Sequence, residues 1–84
     1  MNMKYVIVEF DGFSFPFTFP EIPNHFDVAN ALSSHRLGGK IISAGFCWFN
    51  ENKNTWVCYG ESVSLKMKSR PEDVKIFNNS FRID

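Results

Sequence analysis

The sequence predicts a single α+β domain with a mainly antiparallel sheet, in the order strand, strand, helix, strand, strand, strand, helix. Three observations support this fold class. An Asp-Gly dipeptide separates two strand-like runs near the N-terminus, and a short polar stretch separates two aromatic-rich runs further on. Two other segments carry the capping residues and apolar spacing of short helices. A chain of 84 residues is long enough for only one domain, so residues 1–84 are expected to fold as one unit.

The first predicted element is a β-hairpin. Residues 4–10, KYVIVEF, are β-branched and aromatic, and Asp11-Gly12 follows them, which is typical of a type I′ turn because both central positions need positive φ. In residues 13–19, FSFPFTF, four Phe side chains alternate with smaller residues and therefore point to one side of the strand. Pro16 cannot donate a hydrogen bond to a ladder, which predicts that this strand lies at the sheet edge.

A short amphipathic helix is predicted next, at residues 24–36. Asn24 is placed as its N-cap with Asp27 three residues later, and the apolar side chains fall on one arc of the helix. Gly38-Gly39 ends it, because glycine readily adopts the left-handed conformation that follows a helix.

A second hairpin is predicted from residues 40–50 and 55–62, which are joined by the loop ENKN. Both of its faces are apolar, so it should lie between two layers or offer one face to a partner. If Asn50 faces Thr55, the opposed pairs are Phe49 with Trp56, Trp48 with Val57, Cys47 with Cys58, and Phe46 with Tyr59.

The two cysteines allow three interpretations. Opposed positions across a ladder permit a disulfide, provided the pair is not hydrogen-bonded and its Cα atoms lie within about 6.8 Å. A zinc site would need Cys47 and Cys58 together with His25 and His35, but neither pair has the close spacing that local chelation favours. Reduced cysteines packed as small apolar side chains are the interpretation we favour, and no metal or other cofactor is expected.

The C-terminal part predicts a fifth strand and a second helix. Residues 62–68, SVSLKMK, alternate apolar and polar side chains as a half-exposed strand does. Ser69 and Glu72 form a capping-box pattern, Pro71 suits the first turn, and Val74 begins the apolar positions that would anchor the helix.

Composition limits the classes of function. The formal net charge is zero, which removes the overall attraction that non-specific nucleic-acid or anionic-membrane binders show. There is no apolar run long enough for a membrane span and no signal-peptide pattern, so the expected compartment is the cytoplasm. No G-x-S-x-G, phosphate-binding loop or H-E-x-x-H motif occurs, so the chain is not expected to be an enzyme.

Surface contact with a protein is therefore the favoured function. Interface cores are enriched in aromatic side chains, and a homodimer is included among the possible partners. The predicted interface residues are Phe46, Trp48, Trp56 and Tyr59. The alternative is a small nucleic-acid-binding protein that stacks bases on exposed rings and contacts phosphates through a basic stripe, made of Lys66, Lys68 and Arg70.

The segments KIISAGFCWF and WVCYGESVSLKMKSRPEDVKIF resemble small proteins of uncharacterised function encoded by bacteriophages and prophages, in which an SAGF strand, a YGES segment and an S-x-P-E-D helix start occur. FPFTFPEI looks similar to their first half, so the resemblance covers most of the chain. It implies an accessory role in a bacterial host cell, such as inhibition of a host protein by surface contact. It assigns no functional residue to a position here.

Overall fold

The computed structural model describes residues 2–20 and 39–81. Its main element is a four-stranded antiparallel sheet with the strand order β2-β1-β3-β4. The strands of this sheet are β1 (Met3–Phe10), β2 (Phe13–Phe19), β3 (Lys40–Asn50) and β4 (Thr55–Tyr59). Two very short strands, β5 (Glu61–Ser62) and β6 (Met67–Lys68), pair with each other, and helix α1 (Asp73–Ser80) follows. The coarse α+β prediction is thereby confirmed.

The first hairpin forms as predicted. Phe10 pairs with Phe13, so the loop contains only Asp11 and Gly12. Their φ angles are 51° and 83°, the positive values that a type I′ turn requires at both positions. β2 pairs only with β1 among the described strands and is an edge strand, as Pro16 indicates.

The second hairpin also has the predicted register, but its second strand, predicted over residues 55–62, ends at Tyr59. Asn50 pairs with Thr55, and Cys47 pairs with Cys58. The loop ends at Asn54, whose φ of 51° lies in the left-handed region that Asn tolerates better than most residues. β3 continues past this hairpin and pairs along β1, which makes β1 and β3 the central strands.

The predicted fifth strand is wrong. Where alternation over residues 62–68 predicts one strand, the chain makes β5, a turn and β6, and the Val63 side chain is 82% exposed. The Ser62 hydroxyl accepts a hydrogen bond from the backbone N–H of Leu65 at 3.3 Å, and Lys66 has a positive φ of 55°. A serine side chain that bonds to nearby backbone competes with a ladder, and here it closes a turn.

The second helix is present but starts later than predicted. Ser69 lies four residues before the helix and is not its N-cap; its backbone N–H donates to the carbonyl of Gly60, the residue that follows β4. Glu72 occupies the N-cap position and makes no side-chain capping bond there. The helix starts at Asp73. The predicted count and order of strands need correction because β5 and β6 replace the single fifth strand. The helix predicted at residues 24–36 lies outside the described residues.

The four-stranded sheet has apolar residues on both faces. On one face Tyr5, Ile7 and Cys47 pack with Phe77 of α1. On the other face lies a second cluster, flanked by Leu65 and Met67 from the β5-β6 region, and its buried members are Val6, Val8, Phe19 and Ala44. Within residues 2–20 and 39–81, no helix has the length and apolar character needed to cross a membrane.

Candidate interaction surface

The most prominent surface feature is a group of four phenylalanines on the first hairpin, which we call the phenylalanine surface. Phe10, Phe13, Phe15 and Phe17 are 44%, 66%, 45% and 40% exposed. The ladder register places all four on the same face of the sheet, because Phe10 opposes Phe13 and Val8 opposes Phe15. The ring centroids of Phe13 and Phe15 are 6.4 Å apart. The rings therefore form one contiguous apolar patch.

The orientation of β2 is the reverse of the usual edge strand. Its small residues Ser14, Pro16 and Thr18 are half-buried on the face that α1 covers, while the large rings point away from it. An antiparallel strand with one solvated face normally turns its apolar side chains inward. Because β2 packs its small side chains inward and exposes its rings, its outer surface is better suited to contact with another molecule than to contact with water.

A groove of about 360 Å³ adjoins this surface. Among the described residues, its walls are three rings of the phenylalanine surface, Val8, Pro16 and the C-terminal end of α1 at Ser80 and Phe81. All of these except Ser80 are apolar. Its size falls within the range of about 300–1,000 Å³ found for ligand pockets.

Both outer edges of the sheet resist the addition of another strand. The pair that closes a two-residue hairpin, here Phe10 and Phe13, is hydrogen-bonded. Hydrogen-bonded and non-hydrogen-bonded pairs alternate along the ladder, so Pro16 is in a non-hydrogen-bonded pair and its backbone nitrogen faces the open edge. Proline has no N–H to donate to another strand there. At the other edge the Trp56 N–H donates to Oδ1 of Asn78 from α1 at 3.1 Å, and the Asn78 amide donates to Thr55 Oγ1 at 3.0 Å. A partner would therefore meet the sheet on its face.

The four predicted interface residues are not all on the same face. The register puts Phe46, Trp48 and Tyr59 on the face that carries the phenylalanine surface, and the Phe46 and Tyr59 rings stack at 5.7 Å. Tyr59 is exposed, whereas Phe46 and Trp48 are half-buried. Trp56 is on the opposite face, where its ring lies 5.1 Å from that of Phe77. Trp56 thus packs under α1.

The predicted basic stripe is also divided. Lys66 and Lys68 are exposed. The Arg70 guanidinium donates to Oδ1 of Asp73 through Nε at 3.1 Å and Nη2 at 3.0 Å, and its Nε lies 3.6 Å from Glu72 Oε1. A guanidinium engaged in this way has less capacity to bind a phosphate.

Asp73 is the centre of a buried polar cluster that sequence reasoning missed. Its carboxylate accepts hydrogen bonds from Tyr5 Oη at 2.6 Å, Ser43 Oγ at 2.9 Å and the Arg70 backbone N–H at 3.0 Å. Tyr5, Ser43 and Asp73 are fully buried, and burial raises the pKa of Tyr5 well above its ordinary value, with the bond to Asp73 adding to the shift. Groups so enclosed cannot contact a substrate, so the cluster is structural.

The cysteines are both free. Burial raises the pKa of the Cys47 thiol to about 12, and burial is also the main cause that raises the pKa of Cys58 to about 12. No cluster of three or more potential metal ligands occurs in residues 2–20 or 39–81, and His25 and His35 lie outside these ranges.

The phenylalanine surface was within reach of sequence reasoning. Three of its rings alternate along a strand that Pro16 marks as an edge, and Phe10 precedes the two-residue turn that places it opposite Phe13. The predicted interface residues lie on the second hairpin instead. The Asp73 cluster had no comparable pattern, because Tyr5 and Ser43 are far from Asp73 in sequence.

Three comparisons with known proteins give no match: no protein-family model, no curated protein and no solved structure is significantly similar to this chain. We therefore infer its function from the geometry of its own residues.

Proposed function

We propose that this protein is a non-catalytic interaction module that docks through the phenylalanine surface, and that its partner is a second copy of the chain. The observation that supports this is the arrangement of Phe10, Phe13, Phe15 and Phe17 on one face of an edge hairpin, each at least 40% exposed. Monomeric proteins rarely leave large contiguous apolar patches in water unless the patches have a role.

The size of the patch predicts a weak dimer. The exposed parts of the four rings add up to about two whole Phe side chains, or roughly 400 Å². Two such patches face to face bury about 800 Å², below the roughly 1,600 Å² of a standard interface. The adjoining groove and neighbouring side chains add to this area, but interfaces below the standard size are typical of weak complexes, so we expect a dissociation constant on the order of micromolar.

Three properties favour a second copy as the partner. The net charge of zero means that two copies do not repel each other. An apolar patch made of one residue type is complementary to itself, as a two-fold symmetric interface requires. Because Pro16 and Asn78 obstruct the two sheet edges, association is directed to the face instead of to open-ended strand pairing.

The resemblance to phage and prophage proteins suggests where such a module acts. An accessory role in the cytoplasm of a bacterial host is in keeping with a small neutral protein that works by contact. This setting remains a prediction. We do not propose nucleic-acid binding, since the charge balance is neutral and Arg70 is engaged by Asp73.

The experiment is sedimentation velocity over a concentration series from low micromolar to near millimolar. The double variant Phe13→Ser and Phe15→Ser should stay monomeric where the unchanged protein dimerises, with its thermal unfolding midpoint retained because both rings are exposed. Val63→Ser is the matched control, since Val63 is an exposed apolar residue outside the surface. A monomer at every concentration, or unimpaired dimerisation of the double variant, would refute the proposal.

A further inference from the structure

Cys47 and Cys58 face each other across the β3-β4 ladder with free thiols. Their neighbours show whether the two cysteines form a hydrogen-bonded or a non-hydrogen-bonded pair across the ladder. Trp56, which opposes Phe49, gives its backbone N–H to Asn78 and not to β3, so this pair is not hydrogen-bonded across the ladder. Hydrogen-bonded and non-hydrogen-bonded pairs alternate, so Cys47 and Cys58, two steps further along, also form a non-hydrogen-bonded pair.

This type of pair brings the two side chains close together. Opposed Cα atoms in non-hydrogen-bonded pairs are about 4.5 Å apart, at the lower end of the range of about 4.4–6.8 Å that disulfides span. Both side chains also project to the same face of the sheet, toward α1. A bond between the two sulfurs therefore requires side-chain rotation and little movement of the backbone.

We propose that Cys47 and Cys58 are a modification site, a thiol pair that closes to an intrachain disulfide by exchange with a low-molecular-weight disulfide. Cys58 is half-buried on edge strand β4, whereas Cys47 is fully buried on β3, so Cys58 reacts first. Its thiolate attacks one sulfur of the oxidant, forms a mixed disulfide and expels one thiol.

Cys47 then loses its proton, attacks the Cys58 sulfur and expels the second small thiol. The two electrons given up by the cysteines reduce the oxidant, and the two protons end on the two released thiols. Among the described residues, Tyr5 from β1 and Asp73 from α1 are the other titratable groups that influence Cys58. With both thiols protonated at neutral pH, closure is slow, so the pair responds to sustained oxidation and not to a brief exposure.

The test exposes the folded protein to oxidised glutathione near pH 8.5, the ordinary pKa of a cysteine. The thiols titrated after denaturation should fall from two per chain to none, and the intact mass should fall by two hydrogens without added glutathione. Circular dichroism monitors the fold throughout. Cys47→Ala and Cys58→Ala are the controls, since neither can lose two hydrogens within one chain.

Three outcomes would overturn the proposal: both thiols persist in the folded protein, a glutathione adduct accumulates without closure, or closure occurs only when urea unfolds the chain. The result is independent of the proposed dimer, because the thiol pair lies on β3 and β4 and the phenylalanine surface on β1 and β2. Sedimentation of the Phe13→Ser and Phe15→Ser variant, oxidised in parallel, separates the two: it should close the disulfide while remaining monomeric.

Discussion

The phenol oxygen of Tyr5 lies 2.6 Å from Oδ2 of Asp73 and joins β1 to the first residue of α1 across 68 positions of sequence. The same carboxylate binds Ser43 of β3 and Arg70 just before the helix. A carboxylate with no exposure to water is tolerated when all its oxygens are bound, and among the described residues no buried side-chain polar atom lacks a partner. This cluster holds the helix against the sheet at its N-terminal end.

Asp73→Ala should destabilise the protein strongly. It leaves the Tyr5 and Ser43 hydroxyls and the Arg70 guanidinium without their common acceptor, so we expect a loss of about 3–5 kcal/mol in the free energy of unfolding. Glu72→Ala is the control, since this neighbouring acid is exposed, and its ion pair should contribute less than about 1 kcal/mol. Urea unfolding measures both, and equal midpoints for the two variants would contradict the role given to Asp73.

Phe77→Ala tests the packing of α1. Phe77 is fully buried, its ring meets that of Tyr5 edge to face at 5.0 Å, and it also contacts the ring of Trp56. Its loss should leave a cavity and reduce the free energy of unfolding by about 3–5 kcal/mol. Phe81→Ala removes a neighbouring ring that is 43% exposed and should have a clearly smaller effect. Similar losses in thermal or urea unfolding would mean that α1 is not packed as described.

The obstruction of the sheet edges predicts a change in association. Pro16→Thr restores an outward N–H in the middle of β2, and Asn78→Ala frees the outward N–H of Trp56 on β4. Each change should promote strand pairing between copies, because an open edge is a template for another strand. Light scattering should show particles larger than the proposed dimer. A control is Asn79→Ala, an exposed position on the same helix, which should leave the particle size unchanged.

Alkaline pH should lower the free energy of unfolding, because the thiols of Cys47 and Cys58 are buried in their protonated form. In the unfolded chain the thiols ionise near pH 8.5, whereas the folded pKa of Cys47 and of Cys58 is about 12. The folded state therefore binds more protons between these values, and the stability present below pH 8.5 is lost as the pH rises toward 12. Each group lowers the free energy of unfolding by up to about 1.4 kcal/mol per pH unit over the interval where only its unfolded form is ionised.

Urea unfolding under reducing conditions at a series of pH values measures this effect. The double variant Cys47→Ala and Cys58→Ala should show a shallower decline just above pH 8.5, where Tyr5 does not yet contribute because its unfolded pKa is near 10. A free energy of unfolding that is constant between pH 8.5 and 10 in the unchanged protein would contradict the buried state of the thiols.

Much of the sheet could be predicted from local chemistry. Asp11-Gly12 determines the first turn through its positive φ angles, and the ENKN loop determines the register that opposes Cys47 to Cys58. The phenylalanine surface could also have been predicted, because Pro16 identifies an edge strand, three of the rings alternate along it, and the first turn opposes Phe10 to Phe13. These features depend on residues close together in sequence.

The sequence pattern predicted the wrong structure where a specific contact, local or distant, outweighs it. The alternation of residues 62–68 predicts a strand, but the Ser62 hydroxyl closes a turn. The capping-box pattern at Ser69 and Glu72 predicts the wrong helix start, because Asp73 is held by Tyr5 and Ser43 and Ser69 by Gly60. Trp56 resembles an interface residue in sequence, yet Phe77 packs against it.

The sequence by itself determined the two hairpins, their turns and registers, and the alternation that puts four phenylalanines on one side of an edge strand. Period-two patterns and turn residues act locally, so they carry this information without knowledge of the fold. Only the tertiary structure decided which rings α1 covers and which stay exposed. Which rings are covered depends on where α1 packs on the sheet. The buried Asp73 carboxylate, whose partners come from three separate segments, holds α1 in that position.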